Sequence, residues 1–203
     1  MTGQDTRAAT TMARINAVAR RLFLAKSYAE VTTDMIARAA EVTKGGLYHH
    51  FPSKESLYIS MMVGDLERKR ELFEQAVAME GTCRERLARL TRDFLELPGE
   101  ERELIRLVRR DINIFSGEER DRLVRAYQRA LPEQVEAIVR DGIRDGELAA
   151  ADARLLSWSF VALVEIVIGE YVHQVLGDTT GRLDHVLELF FGGAAARQVG
   201  AIA

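Results

Sequence analysis

The sequence predicts an all-α protein, in which a three-helix head precedes a body of roughly six helices. Only three prolines occur among the 203 residues, and proline cannot donate the hydrogen bond that continues a helix. Apolar residues recur at helical spacing along most of the chain, and no run alternates apolar and polar residues as a half-buried strand would. Hydrophobic residues make up 47% of the chain and charged residues 29%, a balance that excludes a disordered chain.

The first predicted helix carries one apolar stripe. Its members recur at i, i+3, i+4, i+7 and i+8, which places them on a single side. They are Ile15, Val18, Ala19, Leu22 and Phe23. The small and polar residues 1–9 are predicted to be frayed, and the helix is expected to end near Ser27.

A short second helix is predicted to begin at Thr32 or Thr33. Either threonine is a good N-cap, and Asp34 is favourable in the positively polarised first turn that follows. The buried side consists of one isoleucine and two small residues, which allow close packing against a neighbouring helix. They are Ile36, Ala39 and Ala40.

A short third helix is predicted over residues 44–50, after a break at Glu41 and Val42. Thr43 is its N-cap candidate, and Pro52 stops it. Two short helices with a three-residue break are typical of a helix-turn-helix.

The rest of the chain predicts a long fourth helix and a series of further helices. Ser53 caps the fourth helix and Gly81 ends it. Pro132 must kink or restart the helix that contains it. The further helices are predicted at residues 84–97, 100–115, 118–145, 152–176 and 181–190.

Several classes of protein are excluded by composition. Cys83 is the single cysteine, which excludes an internal disulfide and a cysteine metal cluster and suits a reducing compartment. The N-terminus lacks the apolar core of a signal peptide. The most apolar stretch, residues 155–168, is shorter than the ~20 residues that cross a bilayer. We therefore expect a cytoplasmic protein without a membrane span.

No pattern of catalytic residues occurs in the sequence. There is no nucleophile–base arrangement, no loop that cradles phosphate and no metal-ligand spacing. His49 and His50 are adjacent, and neighbours on a helix point about 100° apart, which disfavours a shared metal ion. We expect no enzymatic activity, no cofactor and no metal.

Residues 32–57 contain an Ile-Ala-x-x-Ala core, a Leu-Tyr-x-x-Phe block and a Lys-x-x-Leu that opens the fourth helix. With these elements the segment resembles the DNA-binding signature of the TetR family of bacterial transcriptional repressors. Residues 1–60 also carry a net charge of +3 against −6 for the remainder, as a DNA-reading head on an acidic body would. The resemblance implies a head over residues 1–55, an effector-binding and dimerisation body over residues 56–203, and a two-fold dimer.

The resemblance also implies roles in DNA binding for six residues. Thr33, Tyr48 and Lys54 would contact phosphate, whereas Lys44, Gly45 and His49 would face the bases or their surroundings. Four of them have a structural alternative: the threonine as a cap, the tyrosine as a core aromatic, and the two lysines as solvated surface residues. Phosphate contacts position a protein on DNA, and base contacts specify the sequence.

One position departs from the family pattern. Glu41 stands where the family usually has glycine, in the turn between the two short helices. Either this residue adopts a left-handed conformation, which strains a non-glycine residue, or the turn differs. It also brings a negative charge toward DNA.

The body is expected to hold an effector pocket and a dimer interface. The pocket candidates are Met61, Met62, Phe94, Asn113, Phe115, Tyr127, Trp158 and Glu165, and the interface candidates are Val164, Ile168, Leu183 and Leu187. These aromatic residues and Asn113 fit a drug-sized apolar ligand and an ordinary core equally well. Glu165, in an apolar helix, either pairs with Arg154 or Arg109 or meets a cationic or hydroxylated ligand.

The sequence therefore predicts a ligand-responsive DNA-binding regulator, a repressor released from a pseudo-palindromic operator by a small-molecule inducer. The fourth helix, with Met61 and Met62, is expected to transmit ligand binding to the heads. Two alternatives remain: a helical adaptor that uses residues 32–57 to bind protein, and a small all-α enzyme.

Overall fold

The structure, a computed structural model, describes the backbone of residues 3–194, and no strand occurs within that range. The predicted all-α class is confirmed. The helices are α1 (Gly3–Ala25), α2 (Thr33–Ala39), α3 (Lys44–His50), α4 (Lys54–Ala78), α5 (Cys83–Glu96), α6 (Gly99–Asp111), α7 (Gly117–Ala130), α8 (Pro132–Arg144), α9 (Ala153–Ile166), α10 (Glu170–Leu176) and α11 (Thr179–Ala194).

Most helix boundaries follow the predicted caps and breaks, with two exceptions. The helix α1 already begins at Gly3, so the prediction of a frayed end is wrong for residues 3–9, and residues 1 and 2 lie outside the described range. The single helix predicted over residues 152–176 is divided, because α9 ends at Ile166 and Gly169 adopts an extended conformation before α10. Pro132 occupies the first turn of α8 and so restarts the helix, where its missing N–H costs nothing.

The described chain forms two compact units. The first comprises the described residues up to Asp65 together with Glu103–Arg125, and the second comprises Leu66–Arg102 and the described residues from Ala126 onward. The boundary expected at residue 55 stays a prediction, since the compact units divide the chain at other positions.

The first unit has an aromatic cluster at its centre, formed by Phe23, Tyr28, Tyr58 and Phe115. The Tyr58 ring lies 4.8 Å from Phe23, 5.2 Å from Tyr28 and 5.3 Å from Phe115, centroid to centroid. The Tyr58 hydroxyl donates to Asp111 Oδ2 at 2.7 Å, and both residues are buried. These contacts join α6 and the α6–α7 connection to α1 and α4.

The second unit is a bundle in which α8 packs on α9, and α11 packs on α5 and α9. Phe160 and Phe190 meet edge to face at 5.0 Å in its core, and Phe73 lies 6.2 Å from Phe94. Among the described residues, no helix is both long enough and apolar enough to cross a membrane.

Candidate nucleic-acid interface

Two threonines fix the start of the short helices, as predicted. The Thr32 hydroxyl accepts the Met35 N–H at 3.2 Å, and the Thr43 hydroxyl accepts the Gly46 N–H at 3.0 Å. Each bond satisfies one of the N–H groups that a helix leaves without an intrahelical partner. The caps therefore set where α2 and α3 begin.

The turn between α2 and α3 is a Schellman motif with Glu41 in its left-handed position. Glu41 has a φ of 53° and is the one non-glycine residue with positive φ among the described residues. Its N–H donates to Arg38 O at 3.2 Å, and the Val42 N–H donates to Ala37 O at 3.0 Å. This is the pair of bonds that defines the motif. The turn thus keeps the geometry that glycine favours and places a strained glutamate in it.

The structure brings together the hydroxyls of Thr33 and Tyr48, both predicted to contact phosphate. Thr33 Oγ1 lies 3.3 Å from Tyr48 Oη, across the interface between α2 and α3. The Tyr48 side chain points outward, since the residue is 40% exposed. The tyrosine is therefore not a core aromatic, and its hydroxyl stands at the surface beside that of Thr33.

The predicted base-facing residues lie along the outer side of α3. Lys44 Nζ lies 2.9 Å from Asp34 Oδ1, and this contact raises the pKa of the lysine. A Cβ added at Gly45 would meet no atom within 4 Å, so the backbone is open to close approach from outside. His49 is exposed, with its ring 5.3 Å from that of His50.

Lys54 makes contacts that the sequence did not predict. Its Nζ donates to Tyr28 O at 2.8 Å and to Val31 O at 3.0 Å, and it lies 4.0 Å from the centre of the Tyr28 ring. Burial lowers the pKa of this lysine. Lys54 thus holds the connection between α1 and α2 at the start of α4, and its contact with phosphate stays a prediction.

Sequence reasoning missed two positioning residues, Asp34 and Tyr28. Asp34 was interpreted only as a favourable first-turn charge, but its carboxylate also holds Lys44 from the neighbouring helix. The ten-residue separation spans two helices, so the i, i+4 rule for a single helix gives no signal for it.

The predicted pocket residues are distributed over both units. In the first unit, Met61, Met62 and Phe115 are buried and Asn113 is exposed. In the second unit, Phe94 is buried in the core and Trp158 is 45% exposed, with the Arg154 guanidinium 5.5 Å from the centre of its indole.

One pair among these candidates is in contact. The Tyr127 hydroxyl donates to Glu165 Oε1 at 3.3 Å and links α7 to α9. Arg154, one of the two predicted partners of Glu165, lies over the Trp158 ring instead.

Most of the predicted interface residues are buried within the second unit, and their place at a dimer interface stays a prediction. Val164, Leu183 and Leu187 are 2–4% exposed, and Ile168 is half-buried. The sequence showed α9 to be apolar nearly all round but did not indicate which side faces the core of its own chain. The side left uncovered bears Leu155, Trp158 and Ile166, which are 45–60% exposed, and α11 adds Leu189 at 52%.

Two short capped helices with an exposed polar side, carried on an all-helical frame, define a helix-turn-helix DNA-binding protein. Residues 15–61 match the model described as bacterial regulatory proteins of the tetR family, and residues 80–168 match the tetracyclin repressor-like C-terminal domain. The chain belongs to the TetR family of transcription regulators.

Known regulators resemble this chain in part of the sequence or in the fold. The regulator EthR of Mycolicibacterium smegmatis is 35% identical over 65 residues, which cover 32% of this chain and 30% of that relative. FadR from Bacillus subtilis, solved in complex with stearoyl-CoA, has a TM-score of 0.75 at 21% identity, and the match covers 89% of this chain and 98% of the FadR chain. AibR, solved with isovaleryl coenzyme A and operator DNA, also has a TM-score of 0.75 at 21% identity, and the match covers 89% of this chain and 98% of the AibR chain. The match to EthR spans less than a third of its length, and the two structures share the fold.

Proposed function

We propose that this protein is a ligand-responsive repressor that binds a pseudo-palindromic DNA operator as a homodimer. The observation that carries the proposal is the pair of hydroxyls on Thr33 and Tyr48, 3.3 Å apart at the surface of the helix-turn-helix. At this separation both hydroxyls can donate to oxygens of a single phosphate group. The pair would fix the register of α3 in the major groove.

The outer side of α3 is proposed to recognise the base sequence of the DNA. Lys44 and His49 present donors to base edges, while Gly45 lets the backbone approach the DNA because it has no side chain there. Asp34 restrains the Lys44 ammonium at 2.9 Å, so the lysine reaches the groove from a defined position. These residues would specify the operator, and the hydroxyl pair would orient the head.

The dimer is proposed to form through the uncovered side of α9 together with α11. Leu155, Trp158 and Ile166 recur at helical spacing and form a stripe along α9, with Leu189 on the neighbouring α11. Large apolar side chains that are exposed along one side of a helix are typical of an interaction surface. A two-fold axis through it would present two identical heads to the two half-sites of a palindrome.

Ligand binding is proposed to oppose operator binding. FadR and AibR, which share the fold, were solved with acyl thioesters of coenzyme A, and a small organic ligand in the body of this chain is the corresponding hypothesis. The Tyr127–Glu165 pair supports it, because a phenol and a carboxylate between α7 and the apolar α9 offer hydrogen bonds to a polar group on a ligand.

The experiment that tests the proposal selects fragments of the source genome with the full-length protein. We expect the bound fragments to share an inverted repeat whose half-sites lie about one helical turn apart. Binding to the selected fragment should weaken steeply as salt rises, because counterions are released from the phosphates. Recovery of fragments without a shared inverted repeat, or binding that is indifferent to salt, would contradict the proposal.

A further inference from the structure

An arginine lies buried at the start of α11, and no carboxylate of the described residues pairs with it. Arg182 is 7% exposed. Its Nε donates to Asp178 O at 3.1 Å, and its Nη2 lies 3.4 Å from Thr179 Oγ1. The guanidinium therefore meets only neutral oxygens of its own helical turn among the described residues.

A second arginine, Arg102, lies at the start of α6, directly after the helix α5 that packs on α11. The Arg102 Nη1 donates to the carbonyls of Leu95 and Leu97 at the end of α5. The helices α5 and α11 pack on each other, and the Arg84 guanidinium at the start of α5 lies 5.2 Å from the Phe191 ring at the end of α11. This contact indicates an antiparallel packing, which brings the end of α5 near the start of α11. Burial, and then the positive charge of Arg102, lowers the pKa of Arg182, which agrees with this placement.

Among the residues that the structure describes, no carboxylate forms an ion pair with either arginine. The Asp178 carboxylate accepts the Gly181 N–H at 3.1 Å and so caps α11 instead of pairing with a guanidinium. Arg102 Nε is buried with no hydrogen-bond partner among the described residues. The start of a helix is itself positively polarised, and a buried cation without an anion is costly. One buried and one partly buried guanidinium group at such a position are typical of a site that takes an anion.

We propose that Arg102 and Arg182 bind a phosphate group of the small-molecule effector. A guanidinium presents several N–H groups in a planar fork that matches phosphate oxygens. Two forks and the positive end of α11 suit a doubly charged group better than a carboxylate. The assignment of this phosphate to an effector rests on the proposed ligand-responsive function, whereas the anion site itself does not.

The experiment compares the full-length protein with Arg182→Met, Arg102→Met and a matched control, Arg92→Met. Arg92 is an exposed arginine of α5, so the control removes the same charge without touching the pair. Binding of inorganic phosphate and of coenzyme A is measured by calorimetry, and thermal stabilisation is followed at constant ionic strength with chloride as the reference anion. The unliganded melting temperature of each variant reports whether it folds.

We expect both probes to bind the parent and the control, and each variant of the pair to bind about ten- to hundredfold more weakly, because hydrogen bonds between charged groups are lost. Arg182→Lys keeps the charge but not the fork, and an intermediate affinity is expected. If coenzyme A binds at least tenfold more tightly than inorganic phosphate, the bound phosphate belongs to a larger effector. If the two affinities are equal, the site binds free phosphate, and the assignment of the phosphate to an effector is overturned.

The proposal of an anion site is overturned if phosphate has no effect beyond that of chloride, or if Arg92→Met loses the effect as Arg182→Met does. Operator binding by the same variants is measured without probe. If a variant loses phosphate binding but binds the operator as tightly as the parent does, the anion site is separate from the DNA-binding function. If the parent protein binds no operator, the proposed function is refuted, and the result on anion binding still holds.

Discussion

Replacement of Glu41 by glycine tests the strain in the turn of the helix-turn-helix. The residue has a φ of 53°, a left-handed conformation that costs a residue with a Cβ about 1–2 kcal/mol. Glycine removes this cost but adds about 0.4–1 kcal/mol of chain entropy to the unfolded state. The midpoints of the two ranges leave a gain in the free energy of unfolding of about 0.8 kcal/mol. For a chain of this size that corresponds to a rise in melting temperature of about 1–4 °C.

The assay is thermal unfolding at fixed protein concentration, with two control variants. Glu41→Gln removes the charge and keeps the side chain, so its melting temperature should stay near that of the parent. Glu41→Asn should lie between glutamine and glycine, since asparagine tolerates the left-handed region. Both bonds of the Schellman motif come from backbone N–H groups and persist in all three variants. A glycine variant no more stable than the glutamine variant would refute the reasoning.

Three further predictions follow from contacts of single side chains. Asp34→Asn releases Lys44 and removes a negative charge next to the DNA surface, so operator titrations should show tighter binding to all sequences and weaker discrimination among them. Tyr58→Phe removes the 2.7 Å hydrogen bond to the buried Asp111 carboxylate, which keeps its bonds from Arg110, and should lower the free energy of unfolding by about 1.5–3 kcal/mol in denaturant titrations. Burial raises the pKa of the Cys83 thiol from near 9 to about 12; a thiol reagent at pH 8 should therefore label the native protein far more slowly than the unfolded one. Because the folded state keeps the thiol protonated, the shift contributes fully to the free energy of unfolding below the unfolded pKa. This contribution should decline as pH rises from 9 toward 12.

The sequence predicted the features that depend on neighbouring residues in the chain. Thr32 and Thr43 cap helices because a hydroxyl three residues before an N–H reaches it, and that spacing is visible in the sequence. Pro132 restarts a helix for the same kind of local reason. The conformation of Glu41 was one of two stated alternatives, and the family resemblance indicated the position.

Features that depend on distant residues were not predictable in this way. The bonds from Lys54 to the carbonyls of Tyr28 and Val31 join positions 23 and 26 residues apart, and no short-range spacing indicates them. The side of α9 that faces its own core is decided by α8 and α11, which is why the predicted interface residues are the buried ones. The contact between Tyr58 and Asp111 likewise exists only after α4 and α6 have packed.

The central claim is that the hydroxyls of Thr33 and Tyr48 bind a single operator phosphate. The most direct measurement is a double-mutant cycle of operator affinity with Thr33→Val, Tyr48→Phe and the combined variant, and with Thr33→Ser as the control that keeps a hydroxyl. We predict that each single change weakens binding roughly five- to tenfold on all sequences alike, that the serine variant binds nearly as the parent does, and that the combined loss is smaller than the product of the two. A combined variant that binds as tightly as the parent, or losses that multiply as for independent sites, would contradict the claim.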